Sequence, residues 1–366
     1  MTESRPIIIA AGGTGGHFFP AEALAATLIE RGERVVLLTD ARSGGLNSPA
    51  FEQVEKHVIA GAGLAGRGAR RATKGALALA RGVLQARALL RRLKPKAIVA
   101  FGGYPSVPPV VAAATMGKAR PFVVLHEQNA VLGRANRFLS GFADVLALNF
   151  AKTQRLPTKI KTVVVGNPVR PAIMKLHGRP YVTPVQGIEL LVVGGSLGAK
   201  VFSTLVPQAL ALLPVPLRVC LHVTQQCRED DLKQAKVTLQ EAGIRAELSP
   251  FFKDMATLLR RAHLVIARAG ASSVAEIAVA GRPAIFIPLP NAIDDHQRAN
   301  ADTLAQAGGA LRLDQDGLTP PILAGKIETL LMNAETLKQM AIACAGLGEP
   351  EAASRLADLV VKGRGA

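Results

Sequence analysis

His17 closes the run Gly12-Gly13-Thr14-Gly15-Gly16-His17, directly after the apolar stretch Ile7-Ile8-Ile9-Ala10-Ala11. Glycines at a strand-to-helix turn let backbone N–H groups approach a ligand with no Cβ in the way, and the positive end of the following helix points at the same place. The guest that suits such a turn is an anion, most simply a diphosphate. A histidine there serves as a general base or as a hydrogen-bond donor to a substrate, with a structural cap as the plain alternative. The pattern is written twice. Half a chain length downstream, Leu190-Leu191-Val192-Val193 leads into Gly194-Gly195-Ser196-Leu197-Gly198-Ala199-Lys200. Ser196 offers a hydroxyl beside backbone amides to phosphate oxygens, caps its helix, or does both.

A third constellation is Arg268-Ala269-Gly270-Ala271-Ser272-Ser273-Val274-Ala275-Glu276, again a strand end opening a helix. Ser273 and Glu276 have capping-box spacing, which would satisfy the carboxylate locally. A carboxylate near the amino end of a helix that faces a nucleotide is equally placed to accept both ribose hydroxyls, and that role is the one expected of Glu276. A nicotinamide-type fingerprint does not fit the first turn: read from Gly13, G-x-G-x-x-G meets Phe18, and read from Gly12 it meets Thr14. Asp314-Gln315-Asp316 has the form of a metal-binding D-x-D, but Thr319 as N-cap and Pro320 as first helical residue explain that segment better. No metal site is expected.

These turns need a scaffold that alternates strands and helices. Apolar runs at Ile7 to Ala11, Val35 to Thr39, Ala97 to Phe101, Phe122 to His126, Val145 to Leu148 and Thr162 to Gly166 predict a parallel sheet. Leu190 to Gly194, Arg218 to Val223, Ala246 to Pro250, Leu264 to Ala267 and Ala284 to Pro288 predict a second. Gly166-Asn167-Pro168-Val169-Arg170-Pro171 reads as the start of a linker, so the expected fold is α/β with two Rossmann-like domains, 1–169 and 170–349. Ligands of such sheets bind beyond the carboxyl ends of the strands, and facing domains would place both glycine turns on one cleft. The helical pattern from Glu351 to Lys362 predicts that 350–366 returns to the first domain.

Composition narrows the setting. The net charge of +17 is concentrated in residues 1–170, which carry +15. No acid lies between Glu55 and Glu127, and ten basic residues fall from Arg67 to Lys96. Such a cluster seeks a polyanion. Nucleic acid fits poorly, because small apolar residues and no aromatics are threaded between the arginines; an anionic bilayer surface fits better. The plain alternative has Leu77, Leu84 and Leu89 facing the domain's own core. The uncharged stretch 97–117 contains Pro105, Pro108 and Pro109 and reads as strand, loop and helix, not a membrane span. Three cysteines without metal-ligand spacing, and an apolar run before Gly12 too short for an export signal, suit a reducing cytoplasm.

Eight segments in order resemble the MurG family of undecaprenyldiphospho-muramoylpentapeptide β-N-acetylglucosaminyltransferases, GT-B enzymes of glycosyltransferase family 28. They are GGTGGHFFPA (12–21), FGGYPSVP (101–108), HEQNAV (126–131), GNPVR (166–170), GGSLGAK (194–200), PFFKDM (250–255), RAGASSVAE (268–276) and DDHQRANA (294–301). The resemblance implies inverting transfer of N-acetylglucosamine from UDP-GlcNAc to the C4 hydroxyl of the muramoyl sugar of lipid I, giving lipid II, with no cofactor. It implies a donor side of Ser196, Arg170, Ala271, Ser272 and Gln297, with Phe252 near the uracil and Glu276 on the ribose. Thr14, Gly15 and Gly16 line the opposite wall. The acceptor side is His17, Tyr104, Glu127 and Asn129, with His17 the leading base and Glu127 in reserve. It also implies peripheral attachment at the cytoplasmic face of the inner membrane, where cell-wall synthesis proteins are candidate partners. Two departures stand out: Leu221 to Cys227 lacks the H-Q-x-G pattern of relatives, and His263 replaces a frequent aspartate. The rivals are a lipid galactosyltransferase of the same fold and, from another class, a basic nucleic-acid-binding protein.

Overall fold

The computed structural model describes residues 4–12, 15–40, 49–59, 69–195 and 199–363, with the side chains of Pro49 and of 69–74 excepted. The chain divides into two compact units, Met1–Arg170 with Glu351–Ala366, and Pro171–Pro350. Each is built on one parallel sheet.

The first sheet contains β1 (Ile7–Ala10), β2 (Val35–Thr39), β3 (Glu55–Val58), β4 (Ala97–Ala100), β5 (Phe122–Glu127), β6 (Val145–Leu148) and β7 (Lys161–Val164), in the order β3-β2-β1-β4-β5-β6-β7. Its central strands are buried on both faces, which is why they read as unbroken apolar runs. Successive side chains alternate between two cores. Ile7, Ile9, Val99 and Val124 pack on one face with Phe18 and Leu24; Ile8, Ala10, Ile98 and Val123 pack on the other with Leu90 and Val110. The helix Ala352–Lys362 covers the first of these cores through Leu356 and Val360. Arg31 Nη1 meets Asp358 at 2.6 Å and Arg355 Nε donates to the Val165 carbonyl at 3.2 Å, fastening that helix to the first unit.

The second sheet contains β8 (Ile188–Val193), β9 (Leu221–Gln226), β10 (Arg245–Ser249), β11 (Leu264–Ala267), β12 (Ala284–Phe286) and β13 (Ala310–Arg312), in the order β10-β9-β8-β11-β12-β13. One expected strand is corrected. Arg218 to Val223 is not a single strand: Val215–Cys220 is a short helix, and β9 begins only at Leu221. Pro214 is extended as its N-cap and Pro216 occupies its first turn, where a missing N–H costs nothing. Both sheets reverse their strand order at corresponding places, between β1 and β4 and between β8 and β11. Ligands of open α/β sheets bind outside the carboxyl ends of strands at such reversals.

Candidate active site

The first reversal holds His17, the third residue of the helix Gly15–Glu30, half-buried beyond β1. The loop after β4 wraps its ring: Gly102 and Gly103 sit at φ +84° and +69°, and a Cβ on either would lie 3.6 Å from a ring carbon. Positive φ is why glycines stand there. His17 Nδ1 lies 3.0 Å from Gln128 Oε1. Gln128 Nε2 donates to the carbonyls of Phe101 and His126, both at 3.1 Å, and lies 3.0 Å from His126 Nδ1. His126 Nε2 in turn lies 2.9 Å from the Gly166 carbonyl. Tyr104 opens the short turn Tyr104–Ser106 on the same loop and is partly exposed.

Glu127 ends β5 and is 2% exposed. Its Oε1 accepts from the N–H and the side-chain amide of Asn129, each at 3.0 Å, and its Oε2 accepts from Gly133 N and Asn136 Nδ2, each at 2.9 Å. Four donors thus surround one carboxylate, all from the loop and helix that follow it. Arg170 belongs to the first unit, its guanidinium 5.0 Å above the Phe19 ring, two residues from His17. Gly15 is buried and Gly16 exposed at the helix start. Thr14 lies outside the described residues.

The second reversal assembles the loops after β8, β11 and β12. Ser196 lies outside the described residues, but its glycine turn is tethered: Gly194 N donates to Gln226 Oε1 at 3.2 Å, and Gln226 Nε2 to the Pro250 carbonyl at 3.1 Å. Phe252 is half-buried just past β10, before a helix that Asp254 caps through Thr257 N at 3.0 Å. Ala271 and Ser272 open the helix Ala271–Ala280, and Glu276 is buried in its second turn. The N-cap is Gly270, so Ser273 lies inside the helix and the capping box read from the sequence does not form. Gln297, in the first turn of His296–Gln306, accepts from Leu289 N at 2.9 Å.

Two residues that sequence reasoning passed over hold this end together. Arg268 donates to the carbonyls of Ile287 and Pro288 at 2.9 Å and to Gln315 Oε1 at 2.6 Å, while stacking 4.9 Å above Phe202. It ties the ends of β11 and β12 to the loop after β13. Asn300 donates to the Ala269 carbonyl at 3.0 Å and fixes the loop from the other side. Arg268 opens a motif visible in the sequence, but nothing there distinguishes a staple from a ligand. Asp314 of the D-x-D faces Arg298 and Arg312 at 3.7 and 3.6 Å, and Thr319 and Pro320 take the N-cap and first helical positions expected of them.

A separate surface lies on the helix Ala69–Leu93. Ala86 and Leu90 are buried and Leu89 packs partly on the core, but Leu77 is 58% and Leu84 68% exposed, contrary to the core-facing alternative for those two. Ala76, Leu79, Ala80, Val83 and Leu84 line an open groove of ≈ 490 Å³. Arg81 is exposed beside it. Among the described residues, no helix is long and apolar enough to cross a membrane.

Residues 7–147 match the glycosyltransferase family 28 N-terminal domain and residues 189–356 the glycosyltransferase family 28 C-terminal domain. A UDP-N-acetylglucosamine–N-acetylmuramyl-(pentapeptide) pyrophosphoryl-undecaprenol N-acetylglucosamine transferase of Granulibacter bethesdensis is 56% identical over 358 residues, 97% of this chain and 93% of that protein. The protein of the same name from Acidiphilium cryptum is also 56% identical, over 98% of this chain and 96% of its own. Among solved structures, MurG of Acinetobacter baumannii superposes with a TM-score of 0.77 at 33% identity, covering 98% of this chain and 99% of that one.

Proposed function

The chain belongs to glycosyltransferase family 28, and from that premise we propose that it transfers N-acetylglucosamine from UDP-GlcNAc to the C4 hydroxyl of the muramoyl sugar of lipid I, undecaprenyl-diphospho-MurNAc-pentapeptide, with inversion, giving lipid II. The observation that carries this reading is the end-to-end match to transferases named for that transfer. The acceptor oxygen bonds to C1 of the donor sugar as the bond from C1 to the UDP oxygen breaks; the acceptor proton passes to a base and the bonding pair leaves on the diphosphate. His17, at the strand-order reversal of the first domain, is that base. Glu127, ringed by four donors, holds the loop Asn129 to Asn136 instead of taking the proton. Tyr104 and Asn129 border the acceptor.

UDP belongs to the second domain. The glycine turn with Ser196 and the amino end of Ala271–Ala280, opened by Ala271 and Ser272, supply N–H and hydroxyl donors to the diphosphate, so the departing charge meets fixed dipoles. Glu276, buried in the second turn of that helix, takes the ribose hydroxyls. Phe252 borders the uracil, and Gln297 the donor sugar. The first domain rests on the cytoplasmic face of the inner membrane through Ala69–Leu93, whose exposed leucines enter the headgroup region while neighbouring arginines meet anionic lipids.

Product analysis with UDP-GlcNAc and a lipid I analogue tests the function. The expected result is a β-1,4-linked disaccharide product with one UDP released per transfer. Turnover with UDP-galactose and none with UDP-GlcNAc would assign the chain to a different lipid glycosyltransferase.

A further inference from the structure

Gln128 and His126, both buried at 1% and 0% exposure, link the His17 ring to the backbone of the first domain. The chemistry of that chain of contacts fixes where each proton sits. Its far end is the Gly166 carbonyl, which only accepts, so His126 Nε2 carries a proton. The His126 ring is neutral, because burial, aided by nearby His17 and against the Gly166 hydrogen bond, pushes its pKa down to about 4. Its Nδ1 therefore presents a lone pair, and that lone pair faces Gln128.

Gln128 has only one tolerable orientation. Its Nε2 faces the Phe101 carbonyl, the His126 carbonyl and the His126 Nδ1 lone pair, three acceptors. Turning the amide over would aim Oε1 at all three in a buried site and leave those acceptors without a donor. Oε1 is thereby held toward His17 Nδ1, and an oxygen with no proton to give requires that Nδ1 donate. The lone pair of a neutral His17 is then on Nε2, the ring nitrogen that a Cβ on Gly103 would approach to 3.8 Å.

We propose that Gln128, itself oriented by His126, is the positioning residue that fixes His17 as its Nδ1–H tautomer and leaves Nε2 as the basic nitrogen. Its catalytic consequence rests on the reading of His17 as base; the tautomer does not. An orienting partner that sets the tautomer of a catalytic imidazole is worth orders of magnitude in turnover.

The test is the ¹⁵N spectrum of the full chain labelled at its histidine rings, recorded near pH 8.5, about two units above the ordinary histidine value. His17 is identified by the signal that His17→Gln removes. The expected wild-type ring has a protonated Nδ1 and a bare Nε2; a protonated Nε2 overturns the proposal. Gln128→Ala is expected to release the ring into a tautomer mixture and to lower kcat at least about tenfold, with KM for UDP-GlcNAc within about twofold. Unchanged tautomer and kcat in that variant overturn the proposal as well. If the variant does not fold, the wild-type spectrum still decides. Full turnover in His17→Ala beside the expected spectrum would remove His17 as base while leaving the tautomer assignment standing.

Discussion

Glu127 and His17 are adjacent in function by sequence motif and unlike in surroundings. Glu127 spends both oxygens on donors of its own loop, whereas His17 gives one nitrogen to Gln128. The consequence is measurable in Glu127→Gln. An amide replaces one acceptor edge with an NH₂ group facing other donors, so urea denaturation should show a loss of about 1–3 kcal/mol. A variant with wild-type stability but no turnover would return Glu127 to the role of base. Arg268 makes the same point in the second domain: a buried cation at a strand end, facing two carbonyls and an amide oxygen, is a staple whatever its motif suggests.

At the scale of elements, the Ala69–Leu93 helix carries two kinds of apolar residue. Ala86 and Leu90 complete the core beneath the sheet, and Leu77 and Leu84, seven residues or two turns apart, leave their side chains in solvent. Among the described residues, Leu77 and Leu84 lie outside the core that Leu79, Val83 and Leu89 pack against, and they stay largely exposed beside Arg81. Each would gain about 1.5–3 kcal/mol on entering an apolar medium. The double variant Leu77→Asp, Leu84→Asp should therefore weaken binding to phosphatidylglycerol vesicles at least about tenfold, measured by co-sedimentation, with the urea midpoint unchanged. Equal binding by wild type and variant would defeat the membrane reading of this helix.

Across the whole molecule, each unit repeats one plan, a parallel sheet with its reversal at a glycine turn, and each holds a histidine whose pKa is lowered, buried in the first unit and half-buried in the second. His126 is held near 4 mainly by burial in the first unit. His263, in the second, is lowered by burial against the opposing pull of Glu189, with Glu189 N donating to its Nδ1 at 2.8 Å. In the unfolded chain both return to about 6.5, so between the folded and unfolded values the unfolded state binds more protons. Stability is then full above pH ~6.5 and falls as acid is added toward pH ~4. His126 alone should remove roughly 2 kcal/mol between pH 7 and pH 5. Urea titrations at the two pH values check this, and coincident curves would contradict neutral burial of the His126 ring.

Legibility followed the range of the interactions. Buried parallel strands must be apolar on both faces, so β1, β4, β5, β8 and β11 were written in the sequence as runs, and the positive-φ positions after β4 and β8 wrote themselves as Gly102, Gly103 and Gly195. The edge strand β3, Glu55-Lys56-His57-Val58, lacks that signature because both of its faces reach solvent. The three-residue strand β13 is too short to carry a pattern. By itself, then, the sequence determined the two sheets, their turns and the family, since these rest on local backbone limits and ordered motifs. Only the tertiary structure decided which partner each polar group meets. His17 finds Gln128 across 111 residues, Arg268 finds Gln315 across 47, and Leu84 stays 68% exposed. Helical and strand periods say which residues share a face, but what covers that face depends on packing between elements distant in the chain.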